Sequence, residues 1–182
     1  MYRHCYWSNE DKCIKLRTWN KEGRRLTVDV PFKPYLYTLA MDEGMWPCDS
    51  VINEPVTLID GNGIEWTPRD DHDENLGETV TLTWGLMKSS NWITAYLMSL
   101  FPPERLVDML RSFGVEGQLD PVVSLCLGPC ELSVEEMVEA YTTFPNKGTR
   151  VEPLYVTRIE DHKGNVLATF KPKNYEVISE ET

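Results

Sequence analysis

"MKSSNWITAYLM", residues 87–98, joins a polar turn to an apolar helix. Ser89, Ser90 and Asn91 stand where that helix begins. Ser and Asn favour such places because their side-chain oxygens accept bonds from the unpaired N–H groups of a first helical turn. Trp92, Ile93, Tyr96, Leu97 and Leu100 follow at helical spacing and are the expected inward face. Leu82, Leu86 and Met87 are the expected inward face of a shorter helical piece just before them. The local pattern therefore reads helix, turn, helix. It leaves open whether the three polar side chains of the turn only cap, or also hold something that reacts.

Working outward, "PPERLVDMLRSFG" predicts a helix with Pro at its start, Gly114 at its end, and Leu106, Met109, Leu110 and Phe113 turned inward. "LSVEEMVEAYTTF" opens with Ser133 and Glu136, the spacing of a capping box, and places Met137, Ala140, Tyr141 and Phe144 on its buried side. Glu135 and Glu136 lie in that first turn, where carboxylates complement the helix dipole, so they read as capping rather than as an acid/base pair. "YLYTLAMDEG" predicts a short helix stopped by Gly44. Three hairpins are expected. One lies in residues 13–30 around "NKEG", one in "PVTLIDGNGIEWTP" around "DGNG", and one in "LYVTRIEDHKGNVLATF" around "DHKG".

The chain has 182 residues, 41% hydrophobic and 26% charged, within the range of one soluble domain. No apolar run is long enough to span a bilayer, and "MYRHCYWSNEDK" has no apolar signal region. The net charge of −11 is uneven. Residues 1–33 are net basic and residues 34–182 strongly acidic, which sets the latter against binding nucleic acid. "RDDHDENLG" reads as a solvated acidic connection. His72 beside Asp70, Asp71 and Asp73 does not make a metal site, because adjacent carboxylates cannot all face one ion. Neither metal nor cofactor is expected. The five cysteines lack zinc-site spacing; Cys126 and Cys130 flank the bend of "CLGPC", where a bridge or two buried thiols would each fit.

Taken in order, "KPYLYTLAMDEG", "WTPRD", "GETVTLTWGLMKSSNW", "SLCLGPCELSVEEMVEAYTTFPNKGTRVEPLYVTRIED" and "GNVLATF" resemble the transpeptidase domain of class A penicillin-binding proteins, in the form met in Bacteroides-like bacteria. The resemblance covers residues 33–182. It implies a partial transpeptidase fold of the α+β class, short helices with terminal β-hairpins. Such enzymes carry three motifs, S-x-x-K, S-x-N and K-T-G. Ser89, Ser90 and Asn91 match the second. The resemblance implies that Ser89 bonds to the first-motif lysine and passes a proton, that Asn91 meets the amide of the peptidoglycan stem peptide, and that Ser90 faces elsewhere.

Lys33 in "FKPYLY" matches the lysine of S-x-x-K, but Val30 stands where the nucleophilic serine belongs. Valine carries no group that can attack a carbonyl. No K-T-G occurs either. The expectation is a fragment of a serine-type D,D-transpeptidase without catalytic competence, with stem peptide or β-lactam as its ligand class. The family works at the periplasmic face of the inner membrane; the chain as written, with neither signal nor anchor, reads as cytoplasmic. Residues 1–32 are expected to be a β-hairpin segment of different origin, weakly resembling the start of phage family B DNA polymerases. Without the later strands of the family sheet, Trp92, Tyr96 and Leu97 are expected to lack partners and to favour self-association. Two alternatives stay open: a peptide-binding module without chemistry, and a polymerase-type segment with an unrelated tail.

Overall fold

The computed structural model describes residues 8–9, 12–13, 26–27, 32–71, 75–128 and 130–182. Its centre is α1 (Lys33–Asp42). Tyr35, Leu36, Tyr37, Leu39 and Ala40 are all buried, so this helix is apolar nearly all round and must be covered on every side. It is covered by α2 (Leu82–Met87), α3 (Asn91–Ser99), α4 (Pro103–Ser112) and a 3₁₀ turn at Val123–Leu127. Gly44 (φ +96°) ends α1 where the sequence places its stop.

Helix α4 behaves as its pattern predicts. Pro103 opens it, Leu106, Met109, Leu110 and Phe113 are buried, and Gly114 (φ +93°) closes it. Helix α5 (Val134–Thr142) has the expected capping box between Ser133 and Glu136. Its inward residue Tyr141 joins an aromatic cluster on α1. The Tyr35 ring lies 5.0 Å from Phe113, 5.6 Å from Tyr141 and 5.7 Å from Phe144, mostly edge to face.

Among the described residues every sheet has two strands. β5 (Leu58–Ile59) pairs with β6 (Glu65–Trp66), and β10 (Arg158–Glu160) pairs with β11 (Val166–Thr169). These are the two hairpins expected around "DGNG" and "DHKG". Asp161 makes the second turn by accepting from the backbone N–H of Lys163 and Asn165. Two pairings have no local signature. β4 (Ser50–Ile52) joins β7 (Thr79–Thr81), and β9 (Thr149–Val151) joins β12 (Asn174–Glu176). Arg150 fixes β9 against α5 by an ion pair with Glu139 at 3.2 Å, and it stacks 4.4 Å over the ring of Tyr175 in β12.

In the amino-terminal region, β1 (Ser8–Asn9) pairs with β2 (Lys12–Cys13). β3 (Leu26–Thr27) pairs with β8 (Glu131–Leu132), far away in sequence. The "NKEG" turn of the hairpin expected over residues 13–30, together with Val30, lies outside the described residues, as do His72 and Asp73.

Expectations of burial are corrected in both directions. Leu86, Met87 and Leu100 are exposed; α2 instead turns Leu82 and Gly85 inward. Helix α2 is too short to bury two successive turns on one side. Conversely, Trp92 and Leu97 are buried and Tyr96 half-buried. The helices and the 3₁₀ turn already cover α3, so the face expected to be left bare is interior. Other large apolar side chains are exposed as well, among them Tyr155, Val166 and Leu167. No helix among the described residues is long and apolar enough to cross a membrane.

Candidate active site

The turn between α2 and α3 serves both helices at once. Helix α2 ends in a reverse turn in which Ser89 N–H donates to Leu86 O at 3.0 Å and Ser90 N–H to Gly85 O at 2.8 Å. This is the pattern of a helix closed by one left-handed residue, and Ser89 is that residue, at φ +58°. Glycine is the usual occupant, because a side chain there costs about 1–2 kcal/mol. Ser90 then caps α3: its Oγ accepts from Ile93 N–H at 3.2 Å. The capping reading and the reactive reading of "SSN" therefore fall on different residues. Ser90 caps and is fully buried, while Ser89 and Asn91 project from the turn toward α1.

There they meet Lys33, the first residue of α1. Its Nζ donates to Ser89 Oγ at 3.0 Å, to Asn91 Oδ1 at 2.6 Å, and to the carbonyl oxygen of Ser89. The structure thus brings together the three residues that sequence reasoning singled out, from segments 56 and 58 positions apart. A cation at a helix start opposes the helix dipole, and three acceptors offset that cost. The buried thiol of Cys126, in the 3₁₀ turn packed on α1 and α3, feels the Lys33 charge. Burial is the larger effect and pushes its pKa up to about 12.

Sequence reasoning missed the residues that hold the turn from outside. Pro68, Arg69 and Asp70 run alongside Ser90, Asn91 and Trp92. Pro68 O accepts from Trp92 Nε1 at 3.1 Å, and Arg69 O accepts from Asn91 Nδ2 at 2.6 Å. Asp70 Oδ2 accepts from Ser90 Oγ at 2.7 Å, Asn91 N–H at 2.5 Å and Trp92 N–H at 3.0 Å. The solvated loop expected at "RDDHDENLG" is corrected here: Asp70 is tied into the α3 start, while neighbouring Asp71 is exposed. The Asn91 amide is consequently held from both ends, its oxygen on Lys33 and its nitrogen on Arg69.

The helical α+β fold thus gathers a lysine, a serine and an asparagine at one point beside α1. Residues 31–182 match the penicillin binding protein transpeptidase domain, and the chain belongs to that family. It is 30% identical over 148 residues to penicillin-binding protein 1A of Rickettsia felis, covering 81% of this chain and 18% of that protein. It is 29% identical over 143 residues to penicillin-binding protein 1A of Escherichia coli, covering 78% of this chain and 17% of that protein. The chain thus spans less than a fifth of the length of these relatives. Among solved structures, penicillin-binding protein 1A from Haemophilus influenzae superposes with a TM-score of 0.71 at 26% identity, over 79% of this chain and 21% of that one. Penicillin-binding protein A from Mycobacterium tuberculosis, solved as its penicillin G acyl-enzyme complex, has a TM-score of 0.71 at 17% identity, over 87% of this chain and 41% of that one, and shares the fold.

Proposed function

We propose that residues 33–182 are a segment of a peptidoglycan D,D-transpeptidase domain, the cross-linking unit of cell-wall synthesis, and that Lys33, Ser89 and Asn91 are its proton-handling group. The convergence of Ser89 Oγ and Asn91 Oδ1 on Lys33 Nζ carries this reading. In serine acyl transfer the attacking hydroxyl gives up its proton to a neighbouring base, and the leaving amine takes one back. Lys33 is placed to hold that proton, and Ser89 Oγ to relay it. Asn91 orients the substrate's backbone amide. The ligand class is a stem peptide ending in D-Ala-D-Ala, or a β-lactam that mimics it. The place of action is the periplasmic face of the inner membrane, where such domains work.

The sequence carries Val30 three positions before Lys33, so it offers no hydroxyl there. The chain is accordingly a site that binds without forming an acyl-enzyme. Residues 1–32 are a segment of separate origin joined to it. Incubation with a fluorescent penicillin tests the chemistry, read by gel and intact mass. No covalent adduct is expected, and stoichiometric labelling mapped to any serine would overturn the inactive reading. Reversible binding of a stem pentapeptide tests the site. Asn91→Ala should weaken it about three- to tenfold, the value of one lost hydrogen bond. Absence of binding, or binding indifferent to the substitution, would remove the peptide-site reading.

A further inference from the structure

We infer that Asp70 is the positioning residue of this centre: its carboxylate holds the Ser89–Asn91 turn in the conformation that brings Ser89 Oγ and Asn91 Oδ1 onto Lys33 Nζ. The inference rests on the site reading above and concerns what keeps that site assembled.

Three observations carry it. The first is a division of labour at the helix start. Helix α3 already has a side-chain cap in Ser90, whose Oγ accepts from Ile93 N–H. Asp70 adds an anchor from outside the helix: it takes the Asn91 and Trp92 N–H groups that Ser90 does not reach, and the Ser90 hydroxyl itself. The second is where it grips. One oxygen of Asp70 accepts from Ser90 Oγ and from the backbone N–H groups of Asn91 and Trp92, so it holds both sides of the Asn91 backbone. The carbonyls of Pro68 and Arg69 extend the grip to the Trp92 indole and the Asn91 amide. Three consecutive residues thus bind three consecutive residues.

The third observation is the strain next door. Ser89 has a left-handed backbone that a serine adopts only when its surroundings impose it. Hydrogen bonds into α2 from Ser89 N–H and Ser90 N–H bracket it, and Asp70 fixes the Ser90 hydroxyl and the N–H groups just beyond. Released from Asp70, the turn relaxes to negative φ at Ser89. Both the carbonyl and the hydroxyl of Ser89 then leave Lys33, although neither touches Asp70. An anion is the right group for this task, because the start of α3 favours negative charge and three donors converge on one oxygen.

The test is residue-resolved acetylation of lysine amines on the full chain under limiting acetic anhydride, read by mass spectrometry. Exposed Lys163 and Lys171 serve as internal references. In the unaltered chain Lys33 is protected by its three acceptors. In Asp70→Ala its labelling, relative to the references, should rise about tenfold as the turn opens locally. In Asp70→Asn, which keeps an acceptor oxygen in place, the rise should be much smaller. Leu106→Ala, which loosens the buried core at α4, is the control for general softening. Unchanged Lys33 labelling in Asp70→Ala overturns the proposal. So does an equal rise in Leu106→Ala, or a rise in which the reference lysines share. Should Asp70→Ala fail to fold, Asp70→Glu, which displaces the carboxylate by one methylene, is read by the same criteria. The outcome is independent of penicillin labelling. Acylation of the chain would remove the inactive reading and leave this result standing, whereas unchanged Lys33 labelling would remove Asp70 and leave the site.

Discussion

Lys33 Nζ and Ser89 Oγ lie 3.0 Å apart across 56 positions of chain. One belongs to the opening turn of α1, the other to the closing turn of α2, and neither helix places its partner by local geometry. The contact exists because α2 and α3 pack on α1 and because the turn between them takes a left-handed step. Four consequences can be measured.

Ser89 is the residue whose backbone opposes its side chain. Ser89→Ala removes the hydroxyl but keeps the Cβ in the left-handed region. Ser89→Gly removes both. The glycine variant should therefore be the more stable of the two by about 1 kcal/mol, the reverse of the order of these residues inside a helix. Urea midpoints of the two variants, with matching slopes, decide it.

Gly85 is packed by contact. A Cβ there would stand 2.7 Å from Tyr37 Oη and 2.8 Å from Ile93 Cγ2, both in well-packed surroundings. Gly85→Ala gains about 1 kcal/mol in helix propensity but overpacks the α1–α2–α3 junction at a cost of about 1–3 kcal/mol. A net lowering of the melting temperature is expected, and an increase would show that the junction yields.

Phe113 is fully buried, with its ring 5.0 Å from Tyr35 and 5.5 Å from Phe144. Phe113→Ala should cost about 3–5 kcal/mol. A melting temperature unchanged by the substitution would mean that this aromatic core is not formed in solution.

Cys126 sets an alkaline limit. Burial pushes its thiol from the ordinary value of 9.0 up to about 12. The folded state keeps the proton where the unfolded chain has already lost it, so the contribution is fully present below pH 9 and is lost as pH rises toward 12. Buried Tyr35 and Tyr37 shift in the same direction. Urea stability should fall from pH 8.5 to pH 11, and less steeply in Cys126→Ala. Iodoacetamide at pH 8 should modify exposed Cys48 well before Cys126. Rapid modification of Cys126 in folded protein would contradict its burial.

The helices were legible because each carries its own signals. In α4 and α5 the proline, the capping box and the spacing of apolar residues agree with one another, and the structure follows them. The "DGNG" and "DHKG" hairpins were legible because their turns are written in the same few residues. The pairings β4–β7, β9–β12 and β3–β8 were not, since their partners are distant and two or three residues carry no usable period. In α2 the six-residue length defeated the pattern, and Leu86 and Met87 point outward. Lys33, Ser89 and Asn91 could be singled out only by resemblance; local chemistry stops at helix capping. Asp70 closes "WTPRD", a stretch that carries the resemblance, but nothing in the sequence gives it a role. It is one carboxylate in an acidic run, and only the fold separates it from Asp71.

The two-stranded sheets have a consequence for how firmness is distributed over the molecule. An isolated two-stranded ladder is marginal in water unless something packs on it. β9 and β12 are anchored to α5 through Arg150, but β10 and β11 are exposed along nearly their whole length. Amide protons of α1 and α3 will exchange with solvent only when the whole chain opens, whereas those of β10 and β11 will exchange through the opening of that ladder alone. The turn carrying Ser89 and Asn91 is bonded directly to the slow-exchanging helices, so the geometry around Lys33 is insulated from the breathing of the hairpin.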